Sequence, residues 1–208
     1  FCEQGNIPFC ETQAGKGTLP WNHPLNLGGI GVTGGKAANL IARQADLVIA
    51  AGTRLTDFTT CSKWLFPQDA RLLSINICPF DAVKMEGEPI LADAREALTA
   101  LRAALSGYKT AYGEEIAKTK AEWDGIVEGF YSQDCPEGLS QTRALGEINR
   151  FMAGTDIAVG SAGSLPGDMQ RLWRPGEAGT YHMEYGFSNM GYEINGAVGV
   201  KLACPDRE

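Results

Sequence analysis

Two apolar segments of strand length limit the fold of this chain more than any other sequence feature. Residues 46–51 contain the unbroken run Leu-Val-Ile-Ala-Ala, and residues 71–77 read Arg-Leu-Leu-Ser-Ile-Asn-Ile. Unbroken apolar runs, unlike alternating ones, are typical of parallel strands that are buried on both faces. Helical patterns at residues 37–45 and 94–105 alternate with these strands. The sequence therefore predicts an α/β fold with doubly wound parallel sheets.

Helix-boundary signals divide the chain into three predicted parts. Asp93 is a candidate N-cap of the helix at residues 94–105, and Ser140 is a candidate N-cap of a helix that runs through Met152. The predicted parts are a domain over residues 1–107, an exposed helical linker over 108–138 and a second α/β unit over 139–208. Further predicted elements are strands at 7–10, 89–91 and 156–159, helices at 167–173 and 192–203, and a long loop at 11–35.

Charge and cysteine content exclude several classes of function. A net charge of −7 is unsuited to non-specific binding of nucleic acid, which needs clustered lysine and arginine. No apolar run approaches the roughly 20 residues that cross a bilayer. The six cysteines form no Cys-x-x-Cys pair and there are two histidines, so the sequence predicts no metal site of the zinc type. We expect reduced, mostly buried thiols in a cytoplasmic protein.

Glycine is unusually frequent, at 26 of 208 residues, which indicates many tight backbone turns. Residues 29–34 match the pattern Gly-x-Gly-x-x-Gly and precede a predicted helix. A dinucleotide-binding loop of this kind must follow directly from a strand. Since residues 11–35 are predicted to be a loop, the pattern favours a glycine turn that packs near a cofactor or substrate.

Two further segments carry polar groups in places where ligands bind. Residues 160–164 read Gly-Ser-Ala-Gly-Ser where a predicted parallel strand ends, so they form either an anion-binding nest or a plain tight turn. Val159 stands where a nucleophile elbow has glycine, which argues against a serine hydrolase. His182 and Glu193, in a segment dense in aromatic and titratable residues, are candidate acid–base groups or structural residues.

Several segments resemble the thiamine-diphosphate enzymes of the acetolactate-synthase type. Residues 11–17, 27–34 and 45–54 are similar to the middle domain of that family, and residues 188–192, Ser-Asn-Met-Gly-Tyr, are similar to the opening of its diphosphate-binding domain. The resemblance implies a Rossmann-like middle domain over residues 1–107 and the first part of a diphosphate-binding domain over 139–208.

Within this family, residues 184–193 are most similar to the branch that hydrolyses a cyclic trihydroxycyclohexane-dione in inositol breakdown. Glu193 and Asn195 stand where acetolactate synthases have glycine and proline, and residues 55–58, Leu-Thr-Asp-Phe, lack a paired acidic stretch. The resemblance implies cofactor-dependent, hydrolytic carbon–carbon cleavage of a small cyclic polyhydroxy dione. Alternative hypotheses are an acetolactate synthase-like enzyme, a decarboxylase of the family, or a non-catalytic nucleotide-binding module.

The resemblance also implies roles for individual residues. Met190 would hold the cofactor bent, and the Ser188 carbonyl would accept a hydrogen bond from its aminopyrimidine. For Glu193 we infer, independently of the resemblance, that it binds substrate hydroxyls or moves protons. The residues expected beside the diphosphate are Gly163, Ser164 and Leu165.

Cofactor and assembly expectations follow from the same resemblance. The intact enzyme would use thiamine diphosphate and Mg²⁺. Some family members also hold a flavin, and whether this enzyme binds one is left open. The metal-binding motif is expected after Glu208 and the activating glutamate before Phe1. This chain is therefore expected to be an internal fragment that is inactive alone and binds no cofactor tightly. The intact enzyme would be a homo-oligomer, a dimer or tetramer.

Overall fold

A computed structural model describes all residues from Phe1 to Glu208. It contains nine α-helices and seven β-strands that follow one another along the chain. The helices are α1 (Cys2–Gly5), α2 (Lys36–Ala42), α3 (Asp57–Thr60), α4 (Pro79–Ala82), α5 (Ala94–Ala104), α6 (Gly113–Ser132), α7 (Gln141–Phe151), α8 (Leu165–Leu172) and α9 (Tyr192–Ala203). The strands are β1 (Phe9–Glu11), β2 (Asn26–Gly29), β3 (Leu47–Ala51), β4 (Arg71–Asn76), β5 (Glu88–Leu91), β6 (Ala158–Gly160) and β7 (Tyr181–Met183).

The strands form three small sheets, and every pairing in them is parallel. One sheet pairs β1 with β2, one has the order β3-β4-β5, and one pairs β6 with β7. In the three-stranded sheet, Leu47 lies opposite Arg71 and Ile75 lies opposite Ile90. The prediction of an α/β fold with parallel sheets is confirmed.

Burial in the three-stranded sheet differs from the prediction. The apolar runs indicate strands covered on both faces, and Ser74 and Ile75 in the middle of β4 are indeed fully buried. Leu47 in β3 and Leu91 in β5 are exposed, and Ile77, just after β4, is 77 % exposed. The apolar pattern therefore predicted the parallel pairing correctly, whereas two-sided burial is found only at the centre of the sheet.

Two strands were missed by the sequence analysis. The segment at residues 11–35 contains β2, whose Leu27 is fully buried, so the prediction of a continuous loop is wrong. Strand β7 lies in the segment that was considered only for its polar groups. Each strand has only three or four residues, and each is held by a parallel partner that is distant in sequence. Local sequence carries little information about such pairing.

Predicted helix ends are confirmed where a side chain caps the helix. The Asp93 carboxylate accepts hydrogen bonds from the Arg95 and Glu96 amides, and the Ser140 hydroxyl accepts one from the Arg143 amide. Such caps satisfy amide groups that a helix leaves without partners. Helix α9 has the predicted bounds. Two other helices differ from the prediction by a few residues: α2 ends at Ala42, and α8 begins at Leu165 with a proline in its first turn.

Helix α6 has a buried face that its charge does not predict. Its Ile116 packs in the main apolar core with Leu27 of β2, Ala38 of α2 and Leu65. Near its other end, Tyr131 is fully buried. The Tyr131 hydroxyl lies within hydrogen-bond distance of the Leu172 carbonyl and of Asn149 Oδ1. Helix α6 therefore packs against elements from both ends of the chain.

The six cysteines form no disulfide. Five are half-buried and Cys135 is exposed, so the expectation of mostly buried thiols is wrong, although burial raises the pKa of Cys10 to about 12. None of the helices combines the length and the hydropathy that a membrane crossing requires.

We predict that Gly146→Ala destabilises the protein because α7 lies directly against Tyr131. A Cβ atom at position 146 would lie 2.5 Å from Tyr131 Cγ. Overpacking of this kind costs about 1–3 kcal/mol, which exceeds the roughly 1 kcal/mol that alanine gains over glycine in a helix. The measurement is the free energy of unfolding from urea titration.

Gly125→Ala is the matched control for this prediction. Gly125 lies in α6, and a Cβ there would have no atom within 4 Å. Its replacement should raise the free energy of unfolding by about 0.5–1 kcal/mol. Equal effects of the two substitutions would contradict the packing argument.

Candidate functional site

The parallel pairing of β6 and β7 brings two loops to one edge of their sheet. Val159 lies opposite His182, and Gly160 lies opposite Met183. Because both strands run in the same direction, the loops that follow them, residues 161–164 and 184–191, leave from the same edge. Ligands of open parallel sheets bind at this carboxyl edge.

The first loop presents backbone donors at the start of a helix. Gly163 has φ of +86°, a conformation that suits glycine, and there is open space where its Cβ would be. The amides of Gly163 and Ser164 donate to no oxygen of the protein, and both residues are exposed. Helix α8 begins at the next residue, Leu165. Free amides at a helix N-terminus attract an anion, so this turn has the properties of a nest.

The second loop is shaped by the carboxylate of Glu184. Its Oε1 accepts a hydrogen bond from the Phe187 amide at 3.0 Å, and its Oε2 accepts one from the Asn189 amide at 2.9 Å. These backbone donors hold the pKa of Glu184 below its ordinary value. Within the loop, Ser188 adopts a left-handed conformation with φ of 51°, and the Met190 side chain is 89 % exposed.

Ser161 joins the two loops. Its side chain is fully buried, and its hydroxyl donates a hydrogen bond to the Asn189 carbonyl. The structure therefore brings the predicted cofactor residues Gly163 and Ser164 to the same edge as Ser188 and Met190. The sequence analysis did not single out Ser161 or Glu184 for a structural role. Both bind main-chain atoms, and no residue pattern marks such partners.

The predicted acid–base residues, His182 and Glu193, have different hydrogen-bond partners. Glu193 is in the first turn of α9, and its Oε2 accepts a hydrogen bond from the Gly191 amide at 3.1 Å. This places its negative charge at the positive end of the helix. His182 Nε2 lies 2.6 Å from the Tyr192 hydroxyl, and the two rings are stacked. His182 and Glu193 are thus not paired with each other, and their acid–base roles stay predictions.

Helix α9 approaches the sheet closely because Gly196 has no side chain. A Cβ at this buried position would lie 3.0 Å from Val159 Cγ1 and 2.7 Å from Tyr192 Cε1. Gly196 therefore has a packing role, because it lets the helix lie beside the carboxyl edge of β6. The opposite face of the helix exposes Ile194, Val198 and Leu202.

The glycine-rich turn at residues 29–34 directly follows β2 and precedes α2, contrary to the expectation that no strand precedes it. Most of its amides are nevertheless occupied. The Gly31 amide donates to Asn39 Oδ1, the Val32 amide to the Phe58 carbonyl, and the Gly35 amide to the Gly29 carbonyl. A phosphate cradle needs such amides to be free. The contacts favour the interpretation of a packing turn over that of a dinucleotide site.

This packing turn contacts α8, the helix that starts at the candidate site. The Gln170 side-chain amide donates to the Ile30 carbonyl at 3.0 Å, and the Thr33 hydroxyl donates to Gln170 Oε1. From the same part of the chain, the Phe58 ring meets Tyr185 edge-on, with 5.3 Å between ring centroids. Residues before and after α6 thus both surround the candidate site.

We predict that Glu184→Gln loosens the second loop. A neutral amide accepts backbone hydrogen bonds more weakly than a carboxylate does, so the Phe187 and Asn189 amides should exchange with solvent at least several-fold faster. Since the folded pKa of Glu184 is lowered, its contribution is present above its ordinary pKa and is lost as pH falls through the lowered value. Hydrogen exchange of these two amides, followed by NMR between pH 3 and 7, measures both effects.

Glu147→Gln is the control for this prediction. Glu147 is an exposed residue of α7 that pairs with Arg150, and its replacement should leave both amides unchanged. If exchange at Phe187 and Asn189 is the same in the two variants, the assigned role of Glu184 is wrong.

Two protein-family models match the chain. The thiamine pyrophosphate enzyme central domain matches residues 1–101, and the thiamine pyrophosphate enzyme C-terminal TPP-binding domain matches residues 161–208. The second match begins at Ser161 and contains both loops of the candidate site.

Curated relatives match over the whole chain. A 3D-(3,5/4)-trihydroxycyclohexane-1,2-dione hydrolase of Geobacillus thermodenitrificans is 49 % identical, one of Clostridium tetani is 46 % identical, and one of Bacillus anthracis is 47 % identical. Each alignment covers 100 % of this chain and 36 % of the relative, so the chain spans about a third of the length of these proteins. Since the two domain models together match well over half of its residues, the chain belongs to the thiamine pyrophosphate enzyme family.

Proposed function

We propose that this chain is part of a thiamine-diphosphate-dependent hydrolase that cleaves a carbon–carbon bond of a cyclic 1,2-dione, trihydroxycyclohexane-1,2-dione. The observation that carries the proposal is the 46–49 % identity, over the whole chain, to relatives named for this reaction. The geometry at the carboxyl edge of β6 and β7 supports the proposal. At this edge the free backbone donors of the first loop lie on the same side of the sheet as the exposed, preformed second loop.

The first loop has the chemistry to hold a diphosphate. The free amides of Gly163 and Ser164, with the N-terminus of α8 at Leu165, would donate hydrogen bonds to phosphate oxygens. The open space at Gly163 allows the backbone to come close to a phosphate. When bound, the cofactor supplies a carbon nucleophile and an electron sink for cleavage of the substrate carbon–carbon bond.

The second loop would support the rest of the cofactor. We assign to the Ser188 carbonyl the acceptance of a hydrogen bond from the aminopyrimidine, and to the exposed Met190 side chain the apolar support that keeps the cofactor bent. Glu184 and Ser161 hold this loop by its main chain. Its shape is thus fixed before the cofactor binds, which lowers the entropy cost of binding.

Glu193 is the residue of this chain that we assign to the substrate. One carboxylate oxygen is held by the Gly191 amide, which leaves the other oxygen to accept a hydrogen bond from a substrate hydroxyl. A carboxylate can also receive or return a proton during hydrolysis. Its position in the first turn of α9 places it three residues beyond Met190 on the same segment.

We assign neither the metal nor a flavin to particular residues of this chain. No three His, Cys, Asp or Glu side chains lie together as metal ligands, so we derive no step through Mg²⁺ and propose that residues outside this chain hold it. The occupied amides of the glycine-rich turn give no support to a flavin or another nucleotide there. We propose a cytoplasmic homo-oligomer as the intact enzyme.

The proposed reaction predicts a clear substrate preference. A full-length protein that contains this chain, supplied with thiamine diphosphate and Mg²⁺, should hydrolyse the cyclic dione to an open-chain acid, detected by mass spectrometry. Pyruvate in the same assay should give neither acetolactate nor acetaldehyde. Turnover of pyruvate alone would reject the hydrolase and favour an acetolactate synthase or a decarboxylase.

Met190→Ala should impair the full-length enzyme because the cofactor would lose its apolar support. Misplacement of a reacting group by about 1 Å can cost about 100-fold in rate, and we expect a loss of that order in kcat. Phe151→Ala is the control, since Phe151 is equally exposed, at 91 %, but lies at the end of α7. A Met190 variant with the kcat of the Phe151 variant would refute the assigned role.

A further inference from the structure

A cavity lies between β2, α6 and the end of α8, away from the candidate cofactor site. It has a volume of about 30 Å³, and the residues that decide its chemistry are Lys16, Trp21, Lys120, Trp123, Arg171 and Arg174. Helix α8 has eight residues, which at 1.5 Å per residue separates its two ends by about 12 Å. This cavity is at the carboxyl end of α8, whereas the candidate cofactor site is at its start.

Lys16 is a buried cation without a partner in the protein. Only 6 % of its surface is exposed, and its ammonium makes neither a hydrogen bond nor an ion pair; its nearest aromatic contact is the Tyr181 ring, at 5.9 Å from the centroid. Burial lowers its pKa to about 8, despite the opposing effect of Glu11. Because an unpaired buried charge is costly, this ammonium is expected to have a counter-ion.

Glu11 does not fill that role, although it lines the same cavity. Its Oε1 accepts hydrogen bonds from the Gly17 and Thr18 amides, each at 3.1 Å, and its Oε2 accepts one from the Asn26 side chain. The carboxylate is therefore held by the loop that follows β1. Its distance from Lys16 exceeds that of an ion pair.

The other charged residues of the cavity differ in how far they are paired. Lys120 donates to the Trp21 carbonyl and pairs with Asp124. Arg174 pairs with Glu128 and stacks on the Trp21 ring at 4.3 Å. Arg171 pairs with Asp168, with 4.0 Å between Nη1 and Oδ1, whereas its Nε atom is buried and has no partner. Two donors, Lys16 Nζ and Arg171 Nε, are thus left without acceptors.

We propose that this cavity binds a small oxyanion, a phosphate or carboxylate group, between Lys16 and Arg171. The lining contains four cations, Lys16, Lys120, Arg171 and Arg174, against the two anions Glu11 and Asp124. Asp168 and Glu128 lie outside the lining and pair with Arg171 and Arg174, so Lys16 is the cation of the cavity that has no carboxylate partner. The indole rings of Trp21 and Trp123 also line this cavity, and an apolar lining strengthens a charge interaction. The inference does not depend on the proposed reaction.

Thermal unfolding of the full-length protein tests the proposal, with thiamine diphosphate present so that a diphosphate site is already filled. Inorganic phosphate and acetate are compared with chloride at constant ionic strength, which distinguishes a phosphate from a carboxylate ligand. For a ligand near ten times its Kd we expect the midpoint of the full-length protein to rise by about 1–2 °C. Lys16→Met should abolish most of this rise.

Lys118→Met is the matched control, since Lys118 is an exposed residue of α6 outside the cavity, and it should respond like the wild type. If Lys16→Met does not fold, Arg171→Gln takes its place, since the Arg171 side chain is partly exposed. In addition, phosphate should shift the NMR signal of reductively ¹³C-methylated Lys16. The proposal is overturned if neither anion exceeds chloride, or if the cavity variants respond like the control.

Discussion

The parallel register of β6 and β7 is the constraint on which the candidate site depends. It places the ends of both strands at one edge, and it leaves Gly160 beside Met183. A Cβ on Gly160 would lie 2.7 Å from the Met183 methyl carbon, so a side chain at the end of β6 would have to displace the Met183 side chain. Beyond the sheet, the hydrogen bond from the Ser161 hydroxyl to the Asn189 carbonyl joins the loop after β6 to the loop after β7. Both loops of the site take their positions from these few contacts.

Helix α6 positions elements from both halves of the molecule, as the β6–β7 pairing positions the two loops. Its Trp123 lies against Gly35, where a Cβ would be 2.8 Å from the indole, and its Tyr131 lies against Gly146. One helix thus determines how closely α2 and α7 approach it. The same helix forms one wall of the cavity around Lys16, so that cavity results from the way the two ends of the chain meet on α6.

The sequence predicted the fold where the signal is local. Caps at Asp93 and Ser140 and the apolar runs of β3 and β4 depend on neighbouring residues, and these elements are confirmed. Strands β2 and β7 depend on partners distant in sequence, and so does the burial of α6. The resemblance to the family pointed to Gly163, Ser164, Ser188 and Met190, and the structure adds that they share one edge. Their roles stay predictions, as does that of Glu193. Ser161 and Glu184 could not be found because their partners are main-chain atoms.

That dependence on main-chain atoms has an evolutionary consequence. Glu184 and Ser161 hold the second loop through the amides of Phe187 and Asn189 and the carbonyl of Asn189. The side chains at positions 187 and 189 are exposed and take no part in these bonds. They can therefore be exchanged without a change in the path of the loop. Positions 187 and 189 can therefore vary in sequence while Glu184 and Ser161 keep the loop in place, which makes them natural targets for directed evolution.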